Sequence, residues 1–347
     1  MARIKDIATQ SGVSTATVSH VLNNTGRVGV ETREKVLKVA AELNYKTNKI
    51  AKSLKTQRSY VIGVIVEDLT VFNTPEICDG INEFAEEKGY SISLVNLRLF
   101  KRIGTDFTKT DVLKEMIPKV IDQLMENQVE GIIYIGNHPR DVTEDIPPVS
   151  VPIVYTYCYT TREDDCSVNY DDKSAAYEAT KYLIDLGHEK IGLISGLINS
   201  IPSHDRFYGY QTALAENEVL FDPGYIRTGD WKIDSGYEMT KELFTHPDPP
   251  TAIVALNDLM AAGAIKAIQE MGMSVPEDVS VIGFDNREFT AFYSPSITTM
   301  AIPLHEMGEK AMDVLFQFIH KTGSSEQPNG NVQLSCTLVK RESVKAR

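Results

Sequence analysis

Arg206, Asn257 and Asp285 are the residues of this 347-residue sequence best suited to grip a small polar molecule. A carboxylate, a guanidinium and an amide together donate to and accept from neighbouring hydroxyls, as binding a polyol requires. Asp285 follows an expected strand at Val279 to Gly283, Asn257 follows one at Ala252 to Leu256, and Arg206 opens a helix. Ligands of open parallel sheets gather at such strand ends. Asn257 and Asp285 are also natural helix caps, and that plainer role stands beside the binding one. Tyr157, at the end of its own strand, is a further candidate. Trp231, the only tryptophan, lies in the loop Gly229-Asp230-Trp231, where packing into a core is the common alternative.

A second set of polar side chains lies near the N-terminus. Ile4 to Gln10 repeats apolar residues at helical spacing, and Ser11-Gly12-Val13 supplies a glycine that can end a helix. Ser14 then caps a second helix from Thr15 to Asn23, with Val18, Val21 and Leu22 on one side and short polar groups on the other. Two short helices joined by a turn of this kind form a helix-turn-helix, whose second helix enters the major groove N-terminus first. The spacing predicts Thr15, Ala16 and His20 at base edges. Thr17 and Ser19 either bond phosphate or hold the turn. A third amphipathic helix, Glu31 to Leu43, completes a bundle able to bury a small core.

Charge divides along the chain. The net charge is -13, yet residues 1 to 58 hold eleven Lys/Arg against four Asp/Glu, leaving 24 against 44 for residues 59 to 347. A basic head on an acidic body suits a protein whose head meets phosphate, although a lysine-rich solvated helix would look the same by charge alone.

Other chemistries find little support. There is no G-x-S-x-G, no P-loop, and no G-x-G-x-x-G after the first strand, so no enzyme and no cofactor is expected. Cys78, Cys158, Cys166 and Cys336 are irregularly spaced and form no C-x-x-C pair, and the seven histidines show no H-E-x-x-H, so neither disulfides nor a metal site is expected. No stretch approaches the roughly 20 apolar residues of a membrane span, and the N-terminus has no signal-peptide core, which predicts a cytoplasmic protein without membrane contact.

The elements that must position the polar residues alternate short apolar strands with amphipathic helices, the pattern of parallel sheets covered by helices. Strands are expected at Val61 to Val66, Tyr90 to Val95, Gly131 to Ile135 and Pro152 to Tyr157, with helices near Glu76 to Lys88 and Asp111 to Asn127. A second unit runs from a helix at Ala175 to Leu186 through strands at Lys190 to Ile194, Tyr225 to Thr228, Ala252 to Leu256 and Val279 to Ile282. Two such lobes imply a cleft between them.

The run Ile4 to Thr56, with its V-S-x-x-T-V-S-x-V-L-N core, resembles the head and hinge of the lactose-repressor (LacI/GalR) family. The resemblance continues through Asn169-Tyr170-Asp171-Asp172, Leu186 to Ile191, Arg206-x-x-Gly209-Tyr210, Ala255-Leu256-Asn257-Asp258, Ser274 to Asp285 and Ser296-Ile297-Thr298-Thr299. It implies an all-α helix-turn-helix head at residues 1–46, a hinge helix and linker at 47–58, and an α/β core at 59–347 of the two-lobed periplasmic-binding-protein-like type. The lobes would comprise about 59–160 with 301–330, and about 161–300 with 331–347, the chain crossing near 160, 300 and 330.

The resemblance also places Asn23, Lys49 and Ala51 with the DNA-facing residues and implies that Leu54 wedges into the minor groove of a bent, palindromic operator. At the position of His20 the family often has arginine. Trp231 would set its ring against the effector. The segment Val71-Phe72-Asn73-Thr74-Pro75 departs from the family's aromatic-rich N-P-F-F, offering no obvious second ring for stacking. The implied function is a homodimeric repressor of carbohydrate-utilisation genes responding to a sugar-like effector. Alternatives within the family are a purine sensor and a phosphoprotein-assisted global regulator. A sugar-binding transport protein would share the core but not the basic head.

Overall fold

The computed structural model describes residues 2–22, 25–45, 58–104, 109, 111–320 and 330–347, the side chains of 330 and 331 excepted. The chain forms two compact units, Met1–Tyr60 and Val61–Arg347.

The head contains α1 (Ile4–Ser11), α2 (Thr15–Leu22) and α3 (Val30–Glu42). Gly12 ends α1 at φ 67°, a left-handed conformation that glycine adopts without a Cβ penalty. Ser14 starts α2, its Oγ accepting from the Thr17 N–H at 3.1 Å. Ile7, Val18, Val21, Val36 and Val39 then meet in a small apolar core.

The larger unit holds two six-stranded sheets. The first lobe contains β1 (Val61–Val66), α4 (Asn73–Glu87), β2 (Ser91–Asn96), α5 (Leu99–Ile103), α6 (Asp111–Glu126), β3 (Gly131–Ile135), β4 (Ile153–Thr156) and β5 (Cys166–Tyr170). The second contains α7 (Asp172–Asp185), β6 (Ile191–Ser195), α8 (Ile201–Glu216), β7 (Ile226–Thr228), α9 (Ile233–Leu243), β8 (Ala252–Ala255), α10 (Asp258–Glu270), β9 (Ser280–Asp285) and β10 (Thr298–Ala301). The chain then returns to the first lobe through α11 (Leu304–His320) and β11 (Gly330–Leu334), and ends in the second with β12 (Thr337–Val339).

The sheet orders are β11-β5-β4-β3-β1-β2 and β12-β10-β9-β8-β6-β7, every pair parallel except β10 with β12. Parallel strands buried on both faces need near-continuous apolar sequence, as Val-Ile-Gly-Val-Ile-Val of β1 supplies.

Two expectations need correction. The first lobe extends past residue 160 to Tyr170, because Cys166-Ser167-Val168-Asn169-Tyr170 pairs with β4 and β11. Its buried Ser167 and Asn169 disguise it as loop, although the Asn169 Nδ2 donates to the Cys158 carbonyl at 2.9 Å. The crossings therefore fall near 171, 302 and 335 rather than 160, 300 and 330, and Leu334 still belongs to the first lobe. Among the described residues no helix is long and apolar enough to cross a membrane.

Candidate functional site

Between the two lobes lies a cavity of about 360 Å³, and Arg206, Trp231, Asn257, Asp285 and Tyr157 all line it. Their strands and helices deliver them to one crevice, as the ends of parallel strands do.

Arg206 is the best anchored of the five. Its Nε donates to Asp172 Oδ1 at 2.5 Å, its Nη1 to the Leu256 carbonyl, and its Nη2 to the Tyr170 hydroxyl at 3.0 Å. The guanidinium also stacks on the Phe284 ring, 3.5 Å from its centroid. Gly209, one turn further along α8, makes the arrangement possible: a Cβ there would collide with the Lys173 carbonyl of α7. With N–H groups to spare after three bonds, Arg206 still faces Asp285 Oδ1 at 4.0 Å.

Asp285 ends β9 with φ 107°, and burial pushes its carboxyl well up despite the pull of Arg206. Trp231 and Tyr157 are also left-handed, at φ 71° and 58°. Non-glycine residues in that region are costly, and such strain concentrates at functional positions. Gly196 leaves room for the Trp231 ring, with which a Cβ at that position would clash. The indole Nε1 is buried without a hydrogen-bond partner.

Asn257 caps α10, its Oδ1 accepting from the Met260 N–H at 2.8 Å, while its Nδ2 donates to the Trp231 carbonyl at 3.0 Å. The capping role and a place in the cavity wall therefore coexist, and the cap braces the loop that carries the indole.

Beyond Tyr157, the wall contributed by the first lobe was not foreseen. Phe72, Asn137 and His138, from the loops after β1 and β3, and Phe100, in α5 after β2, line the cavity from the first lobe. Phe72 corrects the expectation that the altered 71–75 segment offers no second ring, and the Arg287 guanidinium lies 5.3 Å from its centroid. His138 meets Ser200 of the second lobe at 2.9 Å. Burial, with Arg206 and Arg140 nearby, lowers the imidazole to about 4. Applying the strand-end rule to the first lobe would have found these residues.

In the head, Thr15, Ala16 and His20 are exposed along α2. Thr17 Oγ1 shares a 2.9 Å hydrogen bond with Ser14, the turn-holding alternative, while Ser19 is half-buried. His20 Nδ1 lies 3.3 Å from Thr25 Oγ1. Asn23, Lys49, Ala51 and Leu54 lie outside the described residues.

Only Glu83, His305 and Glu309, among the described residues, gather three potential metal-ligating atoms, and none of them lines the cavity. His305 lies between α11 and α4, its Nε2 3.1 Å from Glu83 Oε2.

The family description "Bacterial regulatory proteins, lacI family" matches residues 3–48, and "Periplasmic binding protein-like domain" matches residues 180–344. The HTH-type transcriptional repressor PurR of Haemophilus influenzae (strain PittEE) is 33% identical over 350 residues, covering 100% of this chain and 99% of that protein. The ribose operon repressor of Haemophilus influenzae (strain ATCC 51907 / DSM 11121 / KW20 / Rd) is 32% identical over 350 residues, covering 99% of each. Among solved structures, the lac repressor dimer bound to operator and the anti-inducer ONPF superposes with a TM-score of 0.78 at 29% identity, covering 99% of both chains.

Proposed function

The chain belongs to the lacI family of bacterial regulatory proteins and is therefore a DNA-binding transcriptional repressor rather than an enzyme, and we propose that it governs carbohydrate-utilisation genes through a sugar-like effector held between its lobes. The observation that carries this reading is the meeting of Arg206, Asp285 and Asn257 with the Trp231 ring in one cavity. Carboxylate and guanidinium suit vicinal hydroxyls, and an aromatic face suits the C–H face of a sugar ring. The likeness to a ribose operon repressor favours the same class.

A purine is the second reading, and Phe72 favours it. With Trp231 it brings two aromatic side chains to one cavity, and the similar proteins named PurR point the same way. A planar base sandwiched by rings needs few hydroxyl partners, whereas the cavity presents a buried charged set, which is why the carbohydrate is placed first.

The protein would act in the cytoplasm as a homodimer on a palindromic operator, since helix-turn-helix heads read half-sites in pairs. Light scattering at micromolar concentration should give the mass of two chains; a stable monomer or tetramer would contradict the assembly. For the effector, a thermal-shift panel of sugars and nucleobases, followed by operator binding with the best compound, separates the readings. Stabilisation by a nucleobase alone would reverse their order.

A further inference from the structure

Asp79 and Glu83 lie four residues apart on α4, and His305 and Glu309 lie four apart on α11. That spacing sets each pair on one helical face. The two helices cross where glycines let their backbones meet: a Cβ on Gly80 would collide with the His305 carbonyl oxygen, and one on Gly308 with that of Ile77. The crossing gathers both pairs around one imidazole. His305 Nε2 lies 3.1 Å from Glu83 Oε2 and 3.6 Å from Asp79 Oδ2, and its Nδ1 lies 3.8 Å from Glu309 Oε2.

The charge around that imidazole is unbalanced. Among the described residues no lysine or arginine pairs with Asp79, Glu83 or Glu309, and a single imidazole brings at most one positive charge to three carboxylates. Like charges four apart on a helix, as Asp79 and Glu83 are, oppose its formation. A divalent cation would turn that repulsion into shared attraction.

The geometry suits such an ion. One ligand atom each from Glu83, His305 and Glu309 lie within 4.8 Å of one another. Donor atoms bound at about 2.1 Å to a common ion stand roughly 3 to 4 Å apart, so small rotations of these surface side chains suffice. An imidazole nitrogen with carboxylate oxygens suits zinc and its divalent neighbours, whereas magnesium and calcium favour oxygen alone. No H-E-x-x-H marks the set, because its halves come from helices far apart in the sequence.

We propose that Glu83, His305 and Glu309 form a site for a divalent transition ion of the zinc class, with Asp79 in reach as a fourth ligand, and that the ion pins α11 to α4 in the first lobe. The site lies outside the inter-lobe cavity and does not rest on the proposed function.

The test uses the full chain, free of any purification tag and stripped of metal with EDTA. Zinc chloride is titrated by calorimetry into the parent, Glu83→Gln, His305→Gln, Glu309→Gln, His246→Gln and Cys78→Ser, each checked for folding by circular dichroism. The parent should take up one zinc ion per chain. Removing Glu83, His305 or Glu309 should weaken that uptake roughly tenfold or more, since losing a ligand costs at least as much as losing a ligand's support. His246 faces Asp222 at 3.5 Å without a gathering of carboxylates, so His246→Gln should bind zinc as the parent does. Cys78, also on α4, should be equally dispensable, and cobalt chloride in place of zinc should give no thiolate-to-metal charge-transfer band. Saturating zinc should raise the thermal midpoint of the parent but not that of His305→Gln. No saturable zinc uptake by the parent, uptake unchanged in both His305→Gln and Glu83→Gln, or a cobalt charge-transfer band that Cys78→Ser abolishes overturns the site. Zinc uptake that leaves the parent's midpoint unmoved overturns the pinning of the helices.

Discussion

Nε of Arg206 lies 2.5 Å from Oδ1 of Asp172, and the two side chains are only 3% and 7% exposed. The pair ties α8 to the first turn of α7 just beyond the first inter-lobe crossing, and it holds the guanidinium in the cavity wall. Removing either partner leaves the other charge buried. Asp172→Ala should therefore cost the core about 3 to 5 kcal/mol of stability. Urea denaturation followed by circular dichroism measures it, and a loss under about 1 kcal/mol would contradict the pair's assigned role.

The same carboxyl makes a pH prediction. Burial outweighs Arg206 and raises Asp172 from 3.8 to about 6. The folded state consequently holds a proton that the unfolded state has lost across that window, so this group's contribution to stability is largest below 3.8 and falls as pH rises towards about 6. Asp172→Asn removes the titration. Urea midpoints of parent and variant, compared across the window, should show the parent losing ground as pH rises; a constant difference would exclude the effect.

The strand-end rule made the second-lobe half of the cavity legible, since Asp285 and Asn257 directly follow or end strands of unbroken apolar sequence. Phe72, Phe100 and Asn137 lie in the segments after β1, β2 and β3 but were missed, because no distinctive charged set marks those segments. The strand Cys166–Tyr170 stayed hidden for another reason: its polar Ser167 and Asn169 are buried, and the Asn169 Nδ2 finds its acceptor in the Cys158 carbonyl eleven residues earlier in the chain. The capping of α10 by Asn257 was legible, but nothing local in the sequence announces that its Nδ2 would also donate to the Trp231 carbonyl. Periodicity identifies which residues reach a crevice more readily than which of their atoms remain available there.

Gly196 gives a sharper test of the indole's place. An alanine Cβ would displace the Trp231 ring, with which the glycine is in contact. Gly196→Ala should move the tryptophan emission maximum before any ligand is added and weaken effector binding roughly tenfold, the scale of about 1.4 kcal/mol of lost contact. An unchanged spectrum would show that the ring does not depend on this space.

Two substitutions separate base reading from DNA bending in the proposed operator complex. His20→Ala removes a side chain exposed on α2 and should cost about 1 to 3 kcal/mol while relaxing preference at one base pair of each half-site. Leu54→Ala, by the family resemblance, removes the minor-groove wedge but no phosphate-binding lysine, so specific affinity should drop while nonspecific binding keeps its salt slope. Anisotropy titrations on operator libraries at several salt concentrations check both. Uniform weakening across all sequences by His20→Ala would reassign it to backbone contact.

Asp285 joins the cavity to the response. It ends β9 in a left-handed conformation, faces Arg206 and lines the wall from which the second lobe would hold a hydroxylated effector. Asp285→Ala should leave at least one effector hydroxyl without its acceptor, at about 1 to 3 kcal/mol for each bond lost, and so raise the effector concentration needed for half-maximal response at least several-fold. The sign of that response is expected to be release: closing the lobes on a sugar would alter the spacing of the paired hinges, and a ligand that prefers the closed arrangement lowers operator affinity by the same free energy with which operator lowers its own. Operator anisotropy with increasing sugar, for parent and Asp285→Ala, reads both points. A half-maximal concentration equal to the parent's would remove Asp285 from the effector contacts, and tighter operator binding on adding sugar would reverse the assigned sign.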